Sequence, residues 1–171
     1  WLFREPPAEL SSLSLAVGVA ALRALRACGT DGVTLKWPND LLAGDRKLGG
    51  ILCELRVEAA GPAYVVVGLG LNVALPAAAR SRIAAASLAA GGLEPTDLAD
   101  RGPPPSRSRL AAALLDAIAA MGDEFEARGF APFHDEWSKV VSLDARPAAA
   151  FEIDGRAERV TSGEVSLRIA A

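Results

Sequence analysis

The sequence predicts an α+β fold, and three observations lead to this prediction. Residues 51–57 and 63–73 are two extended apolar runs separated by a Gly-Pro turn, the pattern of an antiparallel hairpin. Residues 106–128 instead repeat apolar side chains at helical spacing. After Pro147 the chain returns to short runs of β character. Strands and helices that are grouped along the chain rather than strictly alternating favour the α+β class.

In chain order, residues 1–4 are predicted to end a strand, because two prolines follow. A helix is predicted from Ser11 or Ser12, either of which can cap it, to about Cys28, where a glycine follows. Residues 33–37 form a short strand that ends at a Pro-Asn-Asp turn. The hairpin comes next.

The second half of the chain is predicted to be mainly helical before the β tail. The Ala-, Gly- and Pro-rich stretch from 75 to 106 has a short helix near 81–90. Ser106 caps the helix to Arg128, and a last helix covers 132–141 with Trp137 on its buried face. The tail is predicted to hold two or three strands, at residues 149–153, 156–160 and 164–169.

Composition limits the functional classes. The chain has 171 residues, a net charge of −3 and a pI near 5.2, which fits one domain with at most a small appendage. A nucleic-acid or anionic-membrane binder would show a basic face, and no run approaches the roughly 20 apolar residues of a membrane span. Cys28 and Cys53 match no metal or redox spacing, so we expect buried thiols in a reducing cytoplasm.

Lysine is rare in this chain. Of 18 basic residues only Lys36, Lys47 and Lys139 are lysines. A lysine kept in such an Arg-rich chain indicates a place where a compact ammonium cannot be replaced by a planar guanidinium. Two of the three lie close together, which directs attention to residues 36–47.

The first motif is Lys36-Trp37-Pro38-Asn39-Asp40. Alternation along a strand places Lys36 and Trp37 on opposite faces, so we expect Trp37 in the core and Lys36 in a cleft. A cation, an amide and a carboxylate at a strand end suit a nucleotide with its metal. The alternative is a β-turn in which Asn39 and Asp40 only bond their own backbone.

The second motif is Lys47-Leu48-Gly49-Gly50 at the start of a strand. Two glycines leave the backbone bare, so that a substrate can lie against it while the Lys47 ammonium reaches a carboxylate or phosphoryl oxygen. The alternative is a Gly-Gly turn with a solvated lysine. Glu54, further along, suits either a cleft or a solvent-facing strand position.

The third motif is Gly68-Leu69-Gly70-Leu71-Asn72. Residues 68, 70 and 72 share one strand face, so two glycines clear a slot that ends in an amide, while the intervening apolar residues face the core. The alternative is a bulge or close packing. The single His134 is expected at the surface, and the chain lacks the side chains for a catalytic triad, a zinc site or a Walker loop.

In this order and spacing, the three motifs resemble those of biotin–protein ligases, and the resemblance spans nearly the whole chain. It implies a mixed sheet flanked by helices, like that of class II aminoacyl-tRNA synthetases and biotin ligases, over 1–142, and a partial SH3-like β module over 143–171. It also implies ATP-dependent formation of biotinyl-5′-AMP and transfer of biotin to a lysine of a biotin carboxyl carrier protein.

The resemblance also assigns roles to residues. Lys47 would contact the biotin carboxylate and the α-phosphate, and Lys36 would lie on the phosphates. The nucleotide and Mg²⁺ side would be lined by Asn39, Asp40 and Asn72, and the backbone beside biotin or adenylate would be supplied by Gly50, Gly68 and Gly70. No tightly bound metal, nucleic acid or membrane is implied, and a homodimer is compatible with the family.

Two departures from the family pattern matter. The family's Gly/Arg-rich loop and its Ser-Thr segment would lie upstream of Trp1, and Pro147 leads directly into the last strands of the β module. We therefore expect the 171-residue chain alone to form the adenylate inefficiently. The alternatives are a lipoate–protein ligase with similar adenylation chemistry, and a non-catalytic descendant that binds biotin or the carrier domain.

Overall fold

The computed structural model describes residues 1–4, 10–57, 61–142, 151–153 and 156–158. The helices are α1 (Leu13–Ala27), α2 (Ala77–Ala89), α3 (Arg107–Arg128) and α4 (Ala131–Val140). The strands are β1 (Leu2–Phe3), β2 (Val33–Lys36), β3 (Asp40–Ala43), β4 (Arg46–Val57), β5 (Ala63–Leu71), β6 (Val141–Ser142), β7 (Phe151–Ile153) and β8 (Arg156–Glu158). Short 3₁₀ turns cover Leu10–Ser12 and Leu98–Arg101.

Six strands form one sheet in the order β1-β5-β4-β3-β2-β6. Neighbours are antiparallel except β2 and β6, which are parallel. The expected hairpin is present as β4 and β5, which pair from Gly49↔Leu71 to Val57↔Ala63. A mixed sheet with helices confirms the predicted α+β class.

The core lies between one sheet face and helices α1, α3 and α4. Helix α1 contributes ten buried residues, and Gly18 lets it approach the sheet closely: a Cβ there would lie 2.9 Å from a methyl of Leu35. The rings of Phe3, Phe125 and Phe133 are fully buried at the far end. By length and composition Leu10–Ala27 could span a membrane, but 56% of it is buried in this core, as expected for the central helix of a globular domain.

Several predicted elements differ from the structure in their bounds. Strand β3 was not predicted, because four residues beginning with aspartate carry little pattern and are set by pairing with strands on both sides. Helix α2 begins at Ala77, after Pro76, rather than near 81. Strand β4 begins at Arg46 rather than near 51, so the Lys47-Leu48-Gly49-Gly50 segment lies at the start of a strand as predicted, and the Gly-Gly turn alternative is wrong.

The predicted division at residue 142 stays a prediction. Strands β7 and β8 lie within the strands predicted at 149–153 and 156–160 and pair antiparallel, but the strand predicted at 164–169 lies outside the described residues. The SH3-like module is therefore not tested.

The second sheet face is open over β4 and β5. Leu52 and Val66 on this face are 62% and 63% exposed, and Gly68 and Gly70 lie beside them. The opposite stripe of β5, which includes Val65, packs into the core as predicted. The open face is where the motif residues meet.

Candidate active site

The strand register brings the three motifs into one row. Lys36 is the partner of Asp40, Asp40 of Gly50, and Gly50 of Gly70. Cross-strand partners in antiparallel pairs project on the same face, and the neighbouring row of Leu35 and its partners faces the core. The row therefore lies on the open face, across β2, β3, β4 and β5.

Lys47 reaches into this row through an ion pair. Its Nζ lies 2.6 Å from Oδ1 of Asp40. A shift of register between Leu41 and Leu42 pairs Lys47 with Leu42. The side chains of Lys47 and Asp40 are 42% and 18% exposed, so the ammonium remains accessible to an anionic ligand.

The glycines of the second and third motifs differ in what a side chain at each position would contact. A Cβ at Gly49 would overlap the carbonyl oxygen of Gly70, so the packing of β4 on β5 requires glycine there. A Cβ at Gly50 would lie 3.7 Å from Cε and Nζ of Lys47, and one at Gly70 only 3.9 Å from the nearest atom. A Cβ at Gly68 would meet Leu52 at 3.6 Å, an ordinary contact. Packing within the described chain therefore does not explain glycine at 68 and 70.

Both asparagines of the motifs bond to backbone. The Asn39 side-chain amide donates to the Ile51 backbone carbonyl at 2.8 Å, and the Ile51 backbone amide donates to the Asn39 backbone carbonyl at 2.8 Å. The Asn72 amide donates to the Thr96 carbonyl at 2.9 Å. The Asn39 side chain thus bonds a strand residue twelve positions away rather than its own turn, and nucleotide contacts for Asn39 and Asn72 stay predictions.

The expectation that Trp37 anchors in the core is wrong. Strand β2 ends at Lys36, so Trp37 lies in the following turn, where strand alternation no longer holds. It is half-buried and lines a narrow crevice with Lys36 and with Trp137 of α4. The space in this crevice, about 10 Å³, holds at most about one water molecule, so the open sheet face is the better ligand site.

Lys36 is part of this row but has a different environment from Lys47. It makes no ion pair with any residue in the described part of the chain, and its side chain is half-buried. An unpaired, partly desolvated cation next to a glycine face suits a phosphate group.

A cluster of charged side chains near Lys47 was not predicted from the sequence. Arg80 of α2 bonds Asp97 at 2.7 Å and Asp100 at 2.7 and 3.0 Å, and the Thr96 hydroxyl donates to Asp100 at 2.8 Å. The bonds from Arg80 and Thr96 lower the pKa of Asp100 from 3.8 to about 2. The one sequence signal was Asp97, which caps the 3₁₀ turn by accepting from the Asp100 amide.

The remaining candidates agree with expectation in part. His134 is exposed, as predicted. Cys28 and Cys53 are free but only half-buried, and burial raises the pKa of the Cys53 thiol. Over residues 1–4, 10–57, 61–142 and the two short strands beyond, no group of three or more His, Cys, Asp or Glu side chains could hold a metal ion.

Comparisons with known proteins identify the relatives of this chain. Residues 2–72, which carry all three motifs, match the biotin/lipoate A/B protein ligase family. The bifunctional ligase/repressor BirA of Escherichia coli is 32% identical over 191 residues, which cover 99% of this chain and 57% of that protein. The biotin–[acetyl-CoA-carboxylase] ligase of Mycobacterium tuberculosis is 40% identical over 114 residues, covering 63% of this chain and 36% of that protein. The chain thus spans little more than half the length of the E. coli relative.

Solved structures share the fold. A biotin protein ligase from Aquifex aeolicus, in complex with biotin and ATP, matches with a TM-score of 0.58 and 22% identity over 77% of this chain and 51% of that chain. A biotin protein ligase-like protein of unknown function from a Silicibacter species matches with a TM-score of 0.64 and 18% identity over 92% of this chain and 66% of that chain. At these identities the likeness concerns the fold.

Proposed function

We propose that this chain supplies the biotin–adenylate site of a biotin–protein ligase, because its residues 2–72 match the biotin/lipoate A/B protein ligase family and it is 32% identical to the E. coli ligase/repressor BirA over 99% of its own length. The reaction joins biotin to ATP, which gives biotinyl-5′-AMP and pyrophosphate, and then passes the biotinyl group to a lysine of a biotin carboxyl carrier protein. The observation that carries this proposal is the row of cross-strand partners from Lys36 to Gly70 on the open sheet face. The Lys47 ammonium joins this row through its ion pair with Asp40.

In the first step an oxygen of the biotin carboxylate attacks the α-phosphorus in line, and the bond from that phosphorus to the bridging oxygen of pyrophosphate breaks. Negative charge on the phosphoryl oxygens must be stabilised in the transition state. The Lys47 ammonium lies beside the glycine face, 3.7 Å from where a Cβ on Gly50 would be, and Asp40 holds it there through an ion pair. Fixed charges of this kind are typically worth 10²–10³ in rate.

In the second step the amine of the carrier lysine attacks the carbonyl of the mixed anhydride, and AMP leaves with the bond electrons. The glycine positions at 68 and 70 leave backbone where the adenylate can lie flat against β5. Lys36, unpaired within the described chain, is placed to hold the phosphates of the nucleotide.

Mg²⁺ would enter with ATP, where it neutralises phosphate charge. Magnesium in nucleotide sites is commonly bound by one or two carboxylates and by the phosphates themselves. Asp40, whose side chain is 18% exposed beside Lys47, is the carboxylate that would hold the ion. Asn39 and Asn72, whose side chains bond the Ile51 and Thr96 carbonyls, would lie next to the nucleotide.

The partner implied is the carrier domain, and the cytoplasm is the compartment we propose, since Cys28 and Cys53 are free. The family name covers lipoate as well as biotin, so lipoate is the alternative substrate. Both named relatives are described as ligases and one as a biotin ligase, which favours biotin.

The proposal is tested by incubating the complete gene product with α-labelled ATP and either biotin or lipoate. We expect labelled biotinyl-AMP, followed by biotin on an added carrier domain, and at most trace lipoyl-AMP. Equal or greater activation of lipoate would instead assign lipoate as the substrate. Tight biotin binding without any adenylate would instead support a non-catalytic descendant.

A further inference from the structure

The backbone of Lys47 is held by a segment that none of the three motifs includes. The Lys47 amide donates to the Glu94 carbonyl at 2.8 Å, and the Thr96 amide donates to the Lys47 carbonyl at 2.9 Å. Residues 94–96 therefore run along the first part of β4 like an added strand, and Lys47 pairs with Pro95 there. The position of Lys47 depends on how this segment is fixed.

The segment is fixed on one side by Asn72. Its amide donates to the Thr96 carbonyl, and its own carbonyl accepts from the Leu98 amide at 3.0 Å. Segment 94–98 thus joins β4 to the end of β5, where two of the predicted site residues lie.

On the other side the segment is fixed by a buried carboxylate. Asp97 is 2% exposed and accepts from the Leu75 amide at 2.7 Å, from the Asp100 amide at 3.0 Å and from Arg80 at 2.7 Å. A buried carboxylate needs such partners to remain charged. Arg80 is the guanidinium that supplies the opposite charge.

Helix α2 carries Arg80 and has no buried residue of its own. Its nearby basic residue, Arg82, is exposed and makes no ion pair with any described residue. By contrast, Arg80 forks between Asp97 and Asp100, the bidentate geometry that a lysine cannot reproduce. The geometry therefore links α2 to the Lys47 backbone through one arginine.

We propose that Arg80 and Asp97 form a clamp that positions Lys47, with residues 94–96 as the link between them. The inference rests on the proposed function only for its consequence in catalysis. Arg80 and Asp97 are positioning residues, because they act through the Lys47 backbone and its ion pair with Asp40.

The test uses the complete gene product with Arg80→Ala, with Arg80→Lys, and with Arg82→Ala as a matched control on the same helix. Competitive acylation, read by mass spectrometry, compares the reactivity of Lys47 with that of exposed Lys139. Loosening the Asp40 pair should raise Lys47 reactivity by about two- to fivefold in Arg80→Ala, the factor expected from loss of an exposed ion pair. The Lys139 reactivity and the Arg82→Ala protein should not change.

Adenylation kinetics give the second readout. In Arg80→Ala we expect kcat for biotinyl-AMP formation to fall about tenfold, as positioning defects do, with little change in the KM for biotin. Millimolar guanidinium ion should restore part of kcat in Arg80→Ala but not in a Lys47→Ala protein, and Arg80→Lys should lie between wild type and Arg80→Ala.

The outcomes separate the two claims. Unchanged Lys47 reactivity in a folded Arg80→Ala protein, or an equal rise in Arg82→Ala, overturns the clamp. If Arg80→Ala does not fold, Arg80→Lys and Asp97→Asn give the same comparison, and unchanged reactivity in both overturns it equally. A wild-type protein that makes no adenylate contradicts the proposed function, while the acylation comparison still decides the clamp.

Discussion

Substitutions at Gly49, Gly68 and Gly70 distinguish a glycine that strand packing requires from glycines that leave space for a ligand. Alanine at Gly70 meets its nearest neighbour at 3.9 Å and alanine at Gly68 at 3.6 Å, so neither change strains the sheet. Because glycine in a strand is less stable than alanine by roughly 0.5–1 kcal/mol, Gly68→Ala and Gly70→Ala should leave the free energy of unfolding unchanged or raise it by about that amount. Gly49→Ala, whose methyl would overlap the Gly70 carbonyl, should lower it by about 1–3 kcal/mol.

Ligand binding should respond in the opposite sense. If biotin or the adenylate lies against β5, the larger side chain of Gly70→Val occupies its space, and the affinity for biotin should fall at least tenfold, which is about 1.4 kcal/mol. Urea unfolding and isothermal titration calorimetry with biotin measure the two effects on the same samples. The reasoning is refuted if Gly70→Ala destabilises the protein by more than about 1 kcal/mol, or if Gly68→Val and Gly70→Val both bind biotin like wild type.

Two further predictions concern stability. Asp100 has a pKa lowered to about 2, so its contribution to the stability of the folded protein is present above its ordinary pKa of 3.8 and is lost as the pH falls toward 2. Asp100→Asn should therefore lose less stability than the wild-type protein over this pH range in thermal unfolding. An unaltered acid profile would contradict this. Phe125 is fully buried, with ring centroids 6.0 and 6.4 Å from those of Phe3 and Phe133, so Phe125→Ala should cost about 3–5 kcal/mol in urea unfolding. Leu115→Ala on the same helix, 69% exposed, is the control and should change stability by less than about 0.5 kcal/mol.

The elements with strong periodicity were predictable from the sequence. Helix α3 was predicted because its buried stripe, which includes Leu110 and Phe125, repeats every turn, and Ser106 caps it by accepting from the Arg109 amide at 3.3 Å. The β4–β5 hairpin was predicted because its two apolar runs are long. Such local signals persist in the folded protein because core burial reinforces them.

The elements without such a signal were not predictable. Strand β3 is specified by pairing with β2 and β4 on either side, and that information is not local. Without β3, the sequence placed Lys36 and Gly50 near the same site but could not show that Asp40 joins them in one row. The Trp37 error has a similar origin, because alternation was continued one residue past the end of β2.

The cluster around Arg80 shows a different limit. Asp97 and Asp100 follow Arg80 by 17 and 20 residues along the chain. All three lie in an alanine- and glycine-rich stretch that carries no motif. Nothing in their spacing indicates that they meet or that they border Lys47. Only the fold reveals that segment 94–98 completes the edge of β4.

Substitution of Lys47 tests the central claim most directly, with Lys139 as the matched control. Both lysines are accessible, but Lys47 is paired with Asp40 beside the glycine face, whereas Lys139 is exposed on α4. In single-turnover formation of biotinyl-AMP by the complete gene product, Lys47→Ala should lower the rate by about 10²–10³, and Lys139→Ala should leave it unchanged. A Lys47→Ala protein that forms the adenylate at the wild-type rate would contradict the account.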